Sequence, residues 1–258
     1  MTSRWIVPDW PAPANVKALI TTRHGGVSQG PYAGLNLGDH VGDLLAHVVE
    51  NRALLQRHVP VTPRWLTQVH GVRVVDASRV ADGIEADAAH TRSTDIACAV
   101  LTADCLPLLV CDRAGAQVAA IHAGWRGLNL GVIEKTIDAM GEEPSALLVY
   151  LGPAIGPRRY EVGDEVRDAF IALDPGIASA FVAKENGKWL ANLYELARQR
   201  LHKLGIEQIF GGDYCTVEDA ARFYSYRRDG ATGRMASLIW LEASQPQANA
   251  ASSSNTCR

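Results

Sequence analysis

Leu101-Thr-Ala-Asp-Cys-Leu-Pro-Leu-Leu-Val-Cys-Asp112, with Val118-Ala-Ala-Ile-His-Ala-Gly-Trp-Arg-Gly127 close behind it, is the stretch around which this chain is organised. It reads as two apolar strands, each breaking off at a reactive side chain. The first run ends at Cys105 and the second at His122. Continuous apolar runs of this kind suit strands covered on both faces. A thiol and an imidazole at the ends of adjacent buried strands can face one cleft. His70, in Gln68-Val-His-Gly71, ends an earlier strand-like run and is the third candidate for the same site.

Downstream the apolar period changes. Val132, Ile133, Thr136, Ile137 and Met140 fall on one helical face, which predicts a helix beginning just after Gly127. A helix N-terminus is an anion site, and Arg126 adds a full charge there. Residues 147–151 read as a strand. Val162, Val166 and Phe170, spaced by four, predict a helix. Asn192-Leu-Tyr-Glu195 has the form of a capping box before the stripe Leu193, Leu196, Ala197, Leu201 and Leu204, with Gly205 as the stop. Residues 206–210 and 235–241 read as the last strands.

Upstream, residues 16–22 have strand character. The glycine-rich loop Arg23-His-Gly-Gly-Val-Ser-Gln-Gly-Pro-Tyr32 lacks the Gly-x-Gly-x-x-Gly spacing and the Walker lysine. It reads as a turn, with Arg23 beside it as a candidate anion ligand. Residues 43–58 predict a helix with Leu44, Leu45, Val48, Val49 and Leu55 near one face. Residues 64–70 read as a strand and 72–75 as another short one. Residues 82–95 are polar and read as an exposed connection. The Ser, Asn, Gln and Ala composition of residues 243–258, with Cys257 among them, reads as a disordered tail. With no repeats and no mid-chain linker, the expectation is one α/β domain over residues 1–242.

Bulk composition narrows the function. At 258 residues and 47% apolar, the chain can bury a sizeable core. A formal charge of −3 with no long basic run gives no electrostatic case for nucleic acid. No stretch reaches the roughly 18 apolar residues of a membrane span. Arg4, Pro8, Asp9 and Pro11 interrupt the place where a signal peptide would be apolar, so the expected compartment is the cytoplasm. Five irregularly spaced cysteines then read as free, buried or ligating thiols.

Three chemistries are open to His70, Cys105 and His122. As metal ligands they form a two-imidazole, one-thiolate set, and three protein ligands with an open position is the catalytic zinc arrangement. Alternatively Cys105 is a nucleophile with His122 or His70 as its base, although Asp104, as a strand neighbour of Cys105, should face away from it. The same ligand set also suits copper. A purely structural zinc would need a fourth ligand, with Asp104 or Cys111 as candidates.

A series of motifs resembles the YfiH family, also called the laccase-domain or multicopper polyphenol oxidase-like family. In order these are Thr21-Thr-Arg-His-Gly-Gly-Val-Ser28, Gly30-Pro-Tyr32, Asn36-Leu37, Gln68-Val-His-Gly71, Thr102-Ala-Asp-Cys-Leu-Pro107, His122-Ala-Gly-Trp-Arg-Gly127, Leu151-Gly-Pro-Ala-Ile-Gly156, Cys215-Thr216 and Phe223-Tyr-Ser-Tyr-Arg-Arg228. The resemblance implies an α/β (α+β) fold with mixed β-sheets flanked by helices and one zinc, with copper as the alternative, held by His70, Cys105 and His122. It implies phosphorolysis of purine nucleosides such as adenosine, inosine and methylthioadenosine, and deamination of adenosine. The partners it implies are a small nucleoside and phosphate, without nucleic acid or membrane. Arg23, Asn36 and Arg126 are the expected substrate and phosphate residues, and Asp104 the expected proton carrier. The family also contains a peptidoglycan editing factor and has been credited with phenol oxidation. A cell-wall precursor hydrolase and a copper oxidase are therefore the rival expectations.

Overall fold

A computed structural model describes residues 5–243, so the expected tail lies outside the described residues except for Ala243. In chain order the structure runs β1 (Val16–Ile20), α1 (Leu45–Gln56), β2 (Thr62–Arg64), β3 (Leu66–Thr67), β4 (Val74–Asp76), β5 (Ile84–Glu85) and β6 (Ala88–Thr91). The central hairpins follow as β7 (Ile96–Thr102), β8 (Leu106–Asp112) and β9 (Val118–Ala123), then α2 (Trp125–Leu130) and α3 (Val132–Met140). The remainder is β10 (Leu147–Leu151), β11 (Glu161–Gly163), α4 (Asp164–Leu173), β12 (Phe181–Ala183), β13 (Lys188–Ala191), α5 (Leu193–Lys203), β14 (Gln208–Gly211), α6 (Tyr226–Asp229) and β15 (Met235–Leu241).

Two mixed sheets carry the core. One is ordered β1-β15-β7-β2, the other β14-β10-β8-β9-β6-β4. Within them β2–β7, β4–β6 and β10–β14 are parallel, and the remaining pairs are antiparallel. The sheets pack face to face: Val100, Ile239 and Ile20 of the first meet Leu109, Ala120 and Tyr150 of the second. The outer face of the larger sheet, with Leu108, Ile121 and Val149, is covered by α3, α4 and α5 through Ile137, Phe170 and Leu196. The outer face of the smaller sheet, with Ala99 and Leu238, is covered by α1 through Leu55. The result is a four-layer α/β/β/α arrangement. It explains why β7, β8, β9, β10 and β15 read as unbroken apolar runs: both faces of each are buried.

Five expectations are corrected. Helix α1 buries Val48 and Leu55 of the predicted stripe together with Asn51, whereas Leu44, Leu45 and Val49 are 66%, 65% and 59% exposed. Positions 48, 51 and 55 share a face at helical period, whereas 49 lies about 100° away. A polar residue was needed on the inner face. The Asn51 amide accepts from Val27 N and donates to Ser28 Oγ and Asn36 O, which pins the glycine-rich loop. The strand expected over residues 64–70 breaks into β2 and β3, and Gln68 replaces the ladder by bonding both backbone groups of Leu101 through its side chain. Residues 82–95 are not an exposed connection: β6 is inserted between β4 and β9, and Ala86, Asp87, Ala88, Ala89 and Thr91 are buried. The helix expected after Gly127 starts earlier, at Trp125, and breaks at Gly131 (φ 93) before α3 begins. Val162 lies on β11 ahead of α4.

Candidate active site

The register of β8 against β9 builds the site. Leu106 pairs with Ala123 and Pro107 with His122, so Cys105, one residue before β8, lies beside the end of β9. His70 arrives from the 68–71 loop, in the left-handed region at φ 60. The potential ligand atoms of His70, Cys105 and His122 all lie within 4.8 Å of one another. The two imidazoles meet edge to face, with centroids 4.8 Å apart at 75°.

Asp87 organises this cluster, and the reading of its segment as exposed loop concealed it. Its carboxylate accepts the backbone N–H groups of Val69, His70 and Gly71 at 3.3, 2.9 and 2.7 Å. His122 Nδ1 lies 2.8 Å from Asp87 Oδ1. Burial pushes the Asp87 carboxyl up most strongly, but the His122 bond and the backbone donors outweigh it and hold the group below the usual carboxylate range. For His122, burial acts downward, and the bonds to Asp87 and Cys105 reverse it to about 9. The imidazole of His70 is pushed down, by burial first and by His122 second. The signal available in sequence was Ala86-Asp-Ala-Ala89, an acid among small apolar residues.

The donor set fits a metal ion. His122 Nδ1 is engaged by Asp87, which leaves Nε2 for coordination, the usual outer-shell device for a metal-bound histidine. His70 Nδ1 is buried and has no hydrogen-bond partner. Gly124 supplies the room: a Cβ there would stand 2.4 Å from His70 Nδ1 and 3.2 Å from Cys105 Sγ. Its φ of −65° is ordinary, so space and not backbone freedom requires glycine. Among the described residues the cluster has three members. Cys111 lies inside β8, with its thiol pushed up to about 12 by burial. Asp104 is engaged on both oxygens, by Thr216 Oγ1 at 2.5 Å and Arg227 N at 2.6 Å. Neither acts as a fourth ligand. Asp104 also departs from the strand geometry expected of it. At φ 89 it sits in the β7–β8 turn, lines the cleft, and ties that turn to the start of α6.

The cluster opens into a cleft of about 450 Å³. Its cationic side is formed by Arg126, Arg227 and Arg234, with His40 beside them, and its aromatic side by Trp125, Tyr160 and Tyr226. Arg126 is exposed and makes no hydrogen bond or ion pair among the described residues. Arg227 Nη1 donates to Glu161 O, and Arg234 Nη1 to Thr232 O and Gly233 O. His40 is pushed down by burial and then by Arg234, so its ring is neutral near pH 7.

Two expected substrate residues stand elsewhere. Arg23 donates to Ala220 O and Ala33 O and lies 4.9 Å over the Tyr224 ring, where it fastens the glycine-rich loop and does not line the cleft. Asn36 is fully buried, donates to Gly38 O and Asp43 Oδ2, and accepts the N–H of Gly38 and of Arg234. It acts one step back, through the backbone of Arg234. Sequence reading missed Arg234, Arg227 and His40. The pair Arg227-Arg228 was visible as a basic aromatic motif, but Arg234 was hidden in a turn and His40 in a loop.

The chain matches the family model described as multi-copper polyphenol oxidoreductase laccase over residues 17–242. It is 55% identical over 241 residues to purine nucleoside phosphorylase PA4543 of Pseudomonas aeruginosa, covering 92% of this chain and 98% of that one. It is 52% identical over 242 residues to purine nucleoside phosphorylase YfiH of Escherichia coli K12, covering 93% and 99%. The crystal structure of Neisseria meningitidis protein NMB0706 superposes with a TM-score of 0.92 at 52% identity, covering 93% of this chain and all of that one.

Proposed function

Because the chain belongs to the multi-copper polyphenol oxidoreductase laccase family, we propose that it is a purine nucleoside phosphorylase acting in the cleft above His70, Cys105 and His122. One observation carries this reading. A three-residue cluster able to hold a metal ion, a guanidinium with no hydrogen-bond or ion-pair partner among the described residues and an aromatic wall converge on one cleft of nucleoside size. Its relatives bear the corresponding name at 52% and 55% identity over nearly their full length.

Phosphorolysis breaks the bond from the anomeric carbon to the purine nitrogen and forms a bond to a phosphate oxygen, and the purine takes up a proton. The cleft must hold an anion beside developing positive charge and assist the leaving base. Arg126, with no competing hydrogen-bond or ion-pair partner among the described residues, binds phosphate, flanked by Arg227 and Arg234. His40, neutral and in the same cleft, offers an N–H to the departing base. Asp104, an acceptor on both oxygens, positions Arg227 instead of carrying a proton.

Zinc suits the His₂Cys donors, and when bound it would supply the Lewis acidity that deamination of adenosine at the same site requires. No methionine among the described residues lines the cleft, so the weak axial ligand of a blue-copper centre is not provided by its walls. A cytoplasmic location goes with this reading, and the free thiols of Cys98, Cys105, Cys111 and Cys215 are compatible with a reducing compartment. No helix among the described residues is long and apolar enough to cross a membrane.

The test is product analysis with adenosine and phosphate beside Cys105→Ala. Adenine and ribose 1-phosphate from the wild type alone support the reading, and inosine adds deamination. A zinc-loaded protein giving neither product refutes it.

A further inference from the structure

Three aromatic side chains line the cleft, and two have a cation over the ring. The Arg126 guanidinium lies 4.6 Å from the Trp125 ring centroid, and that of Arg227 lies 5.2 Å from the Tyr160 centroid. Tyr160 is also buried. Tyr226 differs from both. It is 63% exposed, and its side chain makes no hydrogen bond, ring contact or cation–π contact among the described residues.

The mount of Tyr226 is nonetheless rigid. Ser225 is fully buried and caps α6 by accepting the N–H of Arg228. The next residue, Arg227, has its N–H held by Asp104 Oδ2 at 2.6 Å. The Arg228 guanidinium donates to Thr216 O and Phe223 O and pairs with Asp229. A large aromatic ring is therefore presented to the cleft by a backbone fixed on both sides, with its π-face open. A pre-positioned open ring at a cleft rim is what a flat heteroaromatic ligand requires.

We propose that Tyr226 is the residue on which the purine stacks, and hence a determinant of specificity for the base. This rests on the nucleoside reading above. It also sets the bound orientation. Tyr226 and Arg227 are consecutive, so in the phosphorolysis pose a base on Tyr226 leaves the ribose toward the metal cluster and phosphate toward Arg126 and Arg227, and deamination at the cluster takes a second pose. Stacking does not depend on the exocyclic groups, so adenosine and inosine are both accommodated. The smaller face of a pyrimidine is held less well.

The test compares Tyr226→Ala, Tyr226→Phe and Tyr226→Trp with wild type, in steady-state kinetics and in adenosine titrations without phosphate. Loss of one base–aromatic stack weakens binding by about tenfold. The expected result for the alanine variant is a nucleoside KM and an adenosine Kd raised about tenfold, a phosphate KM unchanged, and a reduced preference for purine over pyrimidine nucleosides. Phe and Trp restore adenosine affinity. An alanine variant with unaltered adenosine Kd overturns the proposal, as does a Phe variant as weak as alanine. Wild type that binds adenosine without phosphorolysis removes the parent reading but leaves stacking to be decided by the titrations. Wild type that neither binds nor turns over adenosine overturns both.

Discussion

His122 Nδ1 lies 2.8 Å from Asp87 Oδ1, while the same carboxylate gathers the backbone N–H groups of Val69, His70 and Gly71. One buried side chain thus orients one imidazole and holds the loop that carries the other. Asp87→Asn keeps the volume but replaces one acceptor oxygen with a donor. We expect metal affinity to fall by about 10- to 100-fold, measured by competition with a chromophoric chelator. Asp87→Ala leaves His122 buried without its partner, and unfolding stability should drop by about 3–5 kcal/mol in urea titrations. An Asn variant with wild-type affinity would show that Asp87 only braces the fold.

Gly124 makes a separate demand on the same cluster. A Cβ at 2.4 Å from His70 Nδ1 forces that ring to move. Because His70 is only half-buried, its ring can swing outward without disturbing the core. Gly124→Ala should therefore lose bound metal and activity while its circular dichroism spectrum and thermal midpoint stay close to wild type. Full metal occupancy in this variant, by elemental analysis, would mean that the ligands approach along a different line.

The parts of this arrangement that showed in the sequence were those carried by long apolar runs. Strands β8, β9, β10 and β15 stand where continuous burial predicted them, because β-strands covered on both faces leave a strong signal. The helix α5 was equally legible from Asn192, whose side chain accepts the Glu195 N–H. Short segments were misread for a physical reason. Just before β6, Asp87 sits among alanines, and its burial is tolerable because tertiary partners, His122 and the Val69, His70 and Gly71 N–H groups, surround its carboxylate. His70, Cys105 and His122 could be proposed as a set, but their convergence depends on the β8–β9 register and on the missing side chain at Gly124. Arg23 and Asn36 misled because a residue beside a glycine-rich loop serves equally well to fasten it.

Metal removal separates a catalytic from a structural ion. The two sheets bury their cores without any contribution from the His70–Cys105–His122 cluster. Dialysis against a strong chelator should abolish activity yet leave a cooperatively folded protein, and zinc should restore turnover. Zinc in hundredfold excess over its Kd should add about 2.7 kcal/mol of stability. Unfolding upon chelation would instead assign the ion a structural role.

Asp43 provides a pH signature remote from the metal. Its carboxylate accepts from Ser28 Oγ at 2.6 Å, Asn36 Nδ2 at 2.9 Å and Leu44 N at 2.8 Å. Burial pushes its pKa up, and these donors outweigh burial and hold it below the usual carboxylate value. A native value depressed below the unfolded one adds stability above the unfolded pKa of about 3.9, and that stability is lost as pH falls through the native value. Asp43→Asn should be less stable than wild type at neutral pH and converge with it in acid. Urea unfolding at stepped pH reads this directly, and a constant difference at every pH would sink the assignment.

Arg126 is the cleft cation with the fewest competing duties. Its guanidinium rests on Trp125 and has no hydrogen-bond or ion-pair partner among the described residues. Arg227 and Arg234 also hold backbone carbonyls, so replacing either one disturbs the walls as well as the charge. Arg126→Ala removes a charge-assisted contact to phosphate worth about 1.5–3 kcal/mol, which is roughly 10- to 100-fold in phosphate KM. Arg126→Lys should recover part of it, since the charge remains but the two-pronged geometry is lost. The nucleoside KM should change little in either variant. A rise confined to the nucleoside KM would move phosphate away from Arg126 and toward Arg227 and Arg234.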